Sequence, residues 1–128
     1  MKLLLDTHTA LWWVNEHEKL SSEAKALLLN DANALYVSVA SMWEIAIKVS
    51  LGKLLWLNGG VSAFSEKMKD MPVHLLPVTL RHVEMVETLP FIHRDPFDRL
   101  LIAAAKAEGM TILTADENMR KYAVPCVW

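Results

Sequence analysis

The chain has a single cysteine, Cys126, among its 128 residues. No intrachain disulfide can form, and zinc sites built on several thiolates are excluded; a reducing compartment suits such a chain. Glycine is scarce, and Gly59-Gly60 is the only loose spot. With no repeat, low-complexity tract or linker, nothing divides the sequence, and its length fits one domain, residues 1–128. Long hydrophobic runs are missing too. "MKLLLDTH" starts like a secretion signal, but Asp6 ends the leucines too early. "LLIAAA" and "IAI" both stop at lysine, far short of the ~20 apolar residues of a membrane span. The expected setting is the cytoplasm, with no membrane partner. A basic excess is also absent, the formal net charge being −2. Generic nucleic-acid binders carry surplus Lys and Arg. The charge therefore argues against such a partner, unless several acids gather at one cation, which reverses the local sign.

What is present is a 53% apolar composition, enough for a well-covered core and an apolar face for a partner. A chain of this length buries roughly two-thirds of its unfolded surface without a covalent staple. "KLLLD" reads as a short buried strand ending at Asp6, and "THTALWWVNE" as a helix. "LSSEAKALLLND" is a second helix capped by Ser21, with Glu23 at its positive end. "ALYVSV" is a strand, and "ASMWEIAIKVSLGK" a helix closed near Gly52. "LLWL" is irregular, "VSAFSEKMKDM" helical, and "PVHLLPV" a strand between prolines. "TLRHVEMVETL" is a helix capped by Thr79, and "DPFDRLLIAAAKAEG" a helix with a glycine stop. "MTILTA" is a strand, "DENMRKY" one or two helical turns, and "VPCVW" an edge strand. Strands alternating with helices predict an α/β fold of three layers, with a mainly parallel sheet of four to five strands and helices on both faces. Such sheets bind ligands beyond the carboxyl ends of their strands.

The acids fall at those ends. Asp6 closes the first strand, Glu44 lies early in the helix after the second, and Asp116 follows "TILTA". These three should share one sheet edge. Asp98 joins them only if the chain returns to that edge after "TLRHVEMVETL". That helix advances ~16 Å, and Pro90 to Arg94, if extended, spans a similar ~17 Å. Each acid also has a structural reading. Asp95-Pro96-Phe97-Asp98 is good helix-start chemistry, and Asp6 and Asp116 suit caps. Glu44 pairs with Lys48 in the favourable i,i+4 order. Two details favour chemistry. Ser41, Glu44 and Lys48 form a narrow polar stripe on a helix with Met42, Trp43, Ile45, Ile47 and Val49, so a helix buried around most of its girth is expected. Converging carboxylates also repel: a pair ~6 Å apart costs roughly 2–3 kcal/mol at an effective dielectric of 20. A cation at the centre removes that cost. All-oxygen ligands suit Mg²⁺, with Mn²⁺ as a substitute. The histidines have no close metal-ligand spacing; His8 and His93 fall near the acids and are read as surface or hydrogen-bonding residues.

"LLLDTHTALWW", "SVASMWEIAIKVSLGKL", "HRDPFDRLLIAAA" and "LTADENM" together resemble the successive motifs of PIN-domain proteins, and among these the VapC-like ribonuclease toxins of bacterial toxin–antitoxin pairs. The resemblance covers nearly the whole chain. Single motifs are weak; "RDPFDRLLIA" combined with "LTAD" is specific. It implies a PIN-like sheet with an acidic metal site at its edge, the four acids falling on Asp6, Glu44, Asp98 and Asp116. Asp95 is an additional acid, helper or cap, and Thr7, Ser41 and Thr114 stand where small hydroxyls orient acids or water. It also implies a small protein antitoxin, laid across an apolar groove and into the site, and a homodimer. Trp12 and Trp56, beside Leu54, Leu55 and Leu57, are read either as core or as part of that groove; Trp13 and Trp43 are read as core.

The expected activity is Mg²⁺-dependent endoribonucleolytic hydrolysis of RNA, tRNA or another structured RNA included, by a metal-activated water. Asp6 and Asp98 would bind the metal most directly, with Asp116 and Glu44 completing the site. Lys48, Arg94 and Arg99 are candidates to touch the RNA backbone, or else lie on a solvated face or pair with acids. The rival is a receiver-like or catalytically inactive Mg²⁺-binding interaction domain. A receiver needs an acidic pair near the first strand, an Asp after a middle strand and a late Lys, yet "LLLDTH" has one acid and "HLLPV" ends without one. A phosphatase of the haloacid dehalogenase type needs an aspartate where His8 stands.

Overall fold

Leu3, Leu4 and Leu5 have no accessible surface, so the first strand is buried on both faces, as the central strand of a parallel sheet must be. The computed structural model describes residues 1–128. β1 (Lys2–Leu5), β2 (Ala34–Ser38), β3 (Val73–Leu76), β4 (Thr111–Leu113) and β5 (Cys126–Val127) form one sheet in the order β3-β2-β1-β4-β5. Every pairing is parallel, with Leu4 opposite Tyr36 on one side and Ile112 on the other. The helices are α1 (Thr7–Asn15), α2 (Ser22–Leu29), α3 (Val39–Ser50), α4 (Gly60–Lys69), α5 (Leu80–Val86), α6 (Pro96–Glu108) and α7 (Glu117–Arg120).

Strand side chains alternate between faces, and β1 thereby seeds two cores. Leu3 and Leu5 pack with Leu11, Ala24, Leu28, Ile45 and Phe64 from α1 to α4. Leu4 packs with Leu101, Ile102, Ala104, Met119 and Tyr122, on the side of α6 and α7. The sheet is therefore covered on both faces. The chain moves outward from β1 to β2 and β3, then crosses to β4 on the other side of β1. The order reverses between β1 and β4, which is where open α/β sheets hold ligands.

Local signals set the helix ends. Ser21 caps α2 through Ala24 N–H, and Thr79 and His82 form a reciprocal capping box on α5. Gly109 ends α6 in the left-handed conformation, at φ 66°, where a side chain would be strained. α3 departs from expectation. Ser41 and Glu44 lie on its buried side, whereas Val39 and Trp43 face solvent, Trp43 being 61% exposed. The reading of Trp43 as core is thus corrected: the polar stripe turns inward to meet other polar groups, leaving this tryptophan outside against Phe97 (ring centroids 5.1 Å, 72° between planes). Trp13 is half-buried. Trp12 is half-buried between His8 and Trp128. Leu57 is core, while Leu55 and Trp56 are exposed. No helix is long and apolar enough to cross a membrane.

Candidate functional site

Asp6 follows β1 directly and caps α1, its Oδ1 accepting from Thr9 N–H at 2.7 Å. Its Oδ2 accepts a hydrogen bond from the Thr114 hydroxyl. The same crevice is laced by Asp6 N–H to Leu113 C=O (3.2 Å) and Thr9 Oγ1 to Leu113 C=O (3.0 Å). These bonds join β1 to β4 at the point where the strand order reverses. Asp6 is 5% exposed, and burial raises its pKa against the opposing pull of the hydrogen bonds from Thr114 and Thr9.

Thr114 also accepts Asp116 N–H at 3.0 Å. Asp116 caps α7 through Oδ1, which accepts from Asn118 N–H at 2.7 Å. On the other side of β1, the Thr7 hydroxyl donates to Glu44 Oε1 at 2.7 Å and lies 3.0 Å from Ser41 Oγ. Glu44 Oε2 meets Lys48 Nζ at 3.1 Å. Thr7 thus ties Glu44 to the start of α1 with Ser41 beside it, and Thr114 ties Asp6 to the end of β4. None of these buried polar atoms is left without a partner, which is how buried acids are tolerated.

Asp98 lies in the first turn of α6, within reach of the charges of Glu44 and Asp116. Asp95 caps α6, its Oδ1 accepting from Phe97 N–H (2.9 Å) and Asp98 N–H (3.0 Å). Pro96 sits at the first helical position, where its missing N–H costs nothing. The Asp98 carboxyl is pushed up to about 7, first by burial and then by the charge of Asp95; Asp116 and Glu44 add to the rise, and a hydrogen bond with His93 opposes it. Asp98 therefore feels three other acids. The capping and charge-cluster readings of Asp95 and Asp116 hold together, because each cap uses Oδ1 alone.

Of the basic residues, Arg94 is exposed and Lys48 is held by Glu44. Arg99 corrects the expectation of an RNA-backbone contact. It is 5% exposed, and its guanidinium donates to Pro90 C=O (2.8 Å), Tyr122 Oη (3.0 Å) and Leu89 C=O (3.4 Å) while stacking over Phe91. A guanidinium that supports a loop from inside cannot also meet a phosphate outside. Two contributors escaped the sequence reading. Thr9 braces Asp6 against β4, and Tyr122 carries the hydrogen bond of His93, whose ring reaches Asp98. The only sequence signal for either was the nearness of His93 to Asp98.

A divalent ion implied by the motif resemblance can be tested against these residues. No three histidine, cysteine or carboxylate side chains are arranged to hold one ion. Mg²⁺ does not require three; it keeps several waters and takes one or two carboxylates. The donors are hard oxygens, and the repulsion that lifts Asp98 is what a divalent charge would relieve. In donor type and charge, the residues fit.

The sequence pattern of the PIN domain matches residues 3–125. Ribonuclease VapC22 of Mycobacterium tuberculosis (strain ATCC 25618 / H37Rv) is 30% identical over 131 residues, covering 96% of this chain and 93% of that protein. The structure of VapBC2 from Rickettsia felis bound to a DNA fragment from their promoter superposes with a TM-score of 0.76 at 17% identity, covering 100% of this chain and 99% of that one. A toxin–antitoxin complex from Klebsiella pneumoniae superposes with a TM-score of 0.60 at 15% identity, covering 98% of this chain and 96% of that one.

Proposed function

This chain belongs to the PIN-domain family, and from that premise we propose that it is a Mg²⁺-dependent endoribonuclease acting as the toxin of a toxin–antitoxin pair. One observation carries the reading. Asp98, in the first turn of α6, is half-buried among acids: Asp95, Asp116 and Glu44 all help to lift its carboxyl to about 7. Such charge concentration is unfavourable by itself and becomes useful around a cation. The likeness to a ribonuclease and to VapBC complexes supports the RNA substrate and a small protein antitoxin. A homodimer and a cytoplasmic setting belong to the same proposal. A receiver-like domain is set aside by the family; a catalytically inactive Mg²⁺-binding relative is an outcome of the test below.

Asp6 and Asp98 would hold the ion, with Asp116 and Glu44 completing the site. A bound Mg²⁺ supplies acidity to water at neutral pH and charge stabilisation to phosphoryl oxygens. The chain's own part is placement. Thr114 and Thr9 fix both oxygens of Asp6, and Thr7 fixes Glu44. Glu44 and Asp116 are the acids available to orient water or take its proton. Arg94, exposed and four residues before Asp98 in sequence, is the candidate for the RNA backbone; Lys48 serves by neutralising Glu44. Exposed Leu55 and Trp56 are candidates for antitoxin contact.

The test is cleavage of an RNA panel, tRNAs included, with Mg²⁺, with EDTA, and with Asp98→Asn. Cleavage with Mg²⁺ alone is expected, lost in EDTA and reduced by at least about 100-fold in the variant. Cleavage that persists in EDTA, or an undiminished Asp98→Asn enzyme, overturns the reading. Mg²⁺ binding without cleavage of any RNA assigns the inactive relative.

A further inference from the structure

We infer that His93 is a positioning residue for Asp98, with its tautomer dictated by Tyr122 and Arg99; the inference rests on the nuclease reading and deepens it. His93 Nε2 lies 3.3 Å from Asp98 Oδ2, and Nδ1 lies 2.8 Å from Tyr122 Oη. Either ring nitrogen of a neutral imidazole can carry the proton. The hydroxyl decides which, in agreement with Asp98, whose ionised carboxylate beside Nε2 can only accept. Tyr122 Oη accepts from Arg99 Nη1–H at 3.0 Å and from His93 backbone N–H at 3.4 Å. Both of its lone pairs are then occupied by donors that cannot act as acceptors. Its single proton is left to point at Nδ1, which must be the acceptor. The imidazole proton therefore sits on Nε2 and is donated to Asp98 Oδ2.

The arrangement has a direction. A guanidinium that is always charged polarises a phenol, the phenol polarises an imidazole, and the imidazole grips one oxygen of the carboxylate. Asp98 Oδ1 is left as the oxygen free for a cation. Rigid support encloses the relay. Tyr122 is 4% and Arg99 5% exposed, and the other donations of Arg99 go to Leu89 and Pro90 C=O, in the segment that delivers His93. Hydrogen-bonded partners behind a ligating carboxylate fix its orientation, and removing one typically costs 10–100-fold in metal affinity or activity.

The experiment uses the full chain and has readouts with and without metal. Nitrogen NMR of His93 in the metal-free protein at pH 8, where Asp98 is ionised, should show the Nε2–H tautomer; Tyr122→Phe should shift the Nδ1 resonance by removing its hydrogen-bond donor, while Asp98 keeps the proton on Nε2. Mg²⁺ titration, followed by thermal stability, should show His93→Ala binding about 10–100-fold more weakly. His93→Gln should restore most of that loss, because its amide N–H reaches the place of Nε2; His93→Asn, one carbon shorter, should not. At saturating Mg²⁺, kcat should fall in His93→Ala while KM for RNA stays. An Nδ1–H tautomer in the unsubstituted chain, or unchanged Mg²⁺ affinity and kcat in a folded His93→Ala, overturns the inference. If His93→Ala does not fold, Tyr122→Phe decides: an unaltered Nδ1 resonance with unaltered Mg²⁺ affinity sinks it. Normal RNA cleavage by the parent with unaffected His93 variants separates this failure from that of the nuclease reading, in which the parent itself cleaves nothing.

Discussion

At the scale of single residues, the decisive quantity is the charge state of Asp98. Its ordinary carboxyl pKa is 3.8, and in the fold it stands at about 7. Between those values the folded state keeps a proton that the unfolded chain has released. Stability of the metal-free protein therefore falls as pH rises from about 4 to about 7, and stays lowered above that. Asp98→Asn removes the charge without changing the shape. It should raise the melting temperature of the metal-free protein by a few degrees at pH 8, and leave it nearly unchanged at pH 4. A variant that melts below the parent at pH 8 would mean that Asp98 is not an electrostatic burden. His93 belongs to the same scale. It lies five residues before Asp98 in sequence, and its hydrogen-bonding role was foreseeable. The participation of Tyr122 was not, because its hydroxyl arrives from the far end of the chain.

At the scale of elements, periodicity and caps located every strand and nearly every helix end. Ser21, Thr79, Asp95 and Gly109 do what their side chains, or the lack of one, favour in any sequence. The orientation of α3 was not legible in the same way. An apolar majority suggested burial on nearly all sides, yet the two residues hidden most completely near its start are Ala40 and Ser41. Ser41 and Glu44 are drawn inward by Thr7, a partner more than thirty residues away in sequence. The consequence is measurable. Trp43→Ala should cost about 1 kcal/mol, the worth of an edge-to-face ring contact with some added area, not the 3–5 kcal/mol typical of a buried tryptophan. Ile45→Ala, two positions on and fully buried, should cost about 2–5 kcal/mol. Equal losses in urea denaturation would contradict the observed facing of the helix.

At the scale of the whole molecule, the net charge of −2 is a poor guide to what the surface binds. Asp98 feels the charges of Asp95, Asp116 and Glu44, so the effect of these acids is local. A cation that neutralises them should bind the folded chain only, and stabilise it by mass action. Millimolar Mg²⁺ should raise the melting temperature at pH 8, by several degrees if the concentration exceeds the dissociation constant about 10-fold, since ~1 kcal/mol moves a domain of this size by roughly 3–5 °C. The rise should shrink at pH 5, where Asp98 holds a proton and competes with the metal. Equal shifts at both pH values would separate metal binding from Asp98.

The sequence by itself determined the α/β alternation, the parallel sheet, the caps and the acids at strand ends, because each follows from side-chain periodicity or from chemistry within a few neighbouring residues. It also held the motif order by which the family is recognisable. Only the tertiary structure decided that Arg99 supports a loop from within, that Trp43 stands in solvent, and that Tyr122 and His93 meet behind Asp98. Those outcomes depend on which partner reaches a given polar group across the sheet. A buried hydrogen-bonding group takes whatever partner the packing brings, and residues distant in sequence carry no local sign of that meeting.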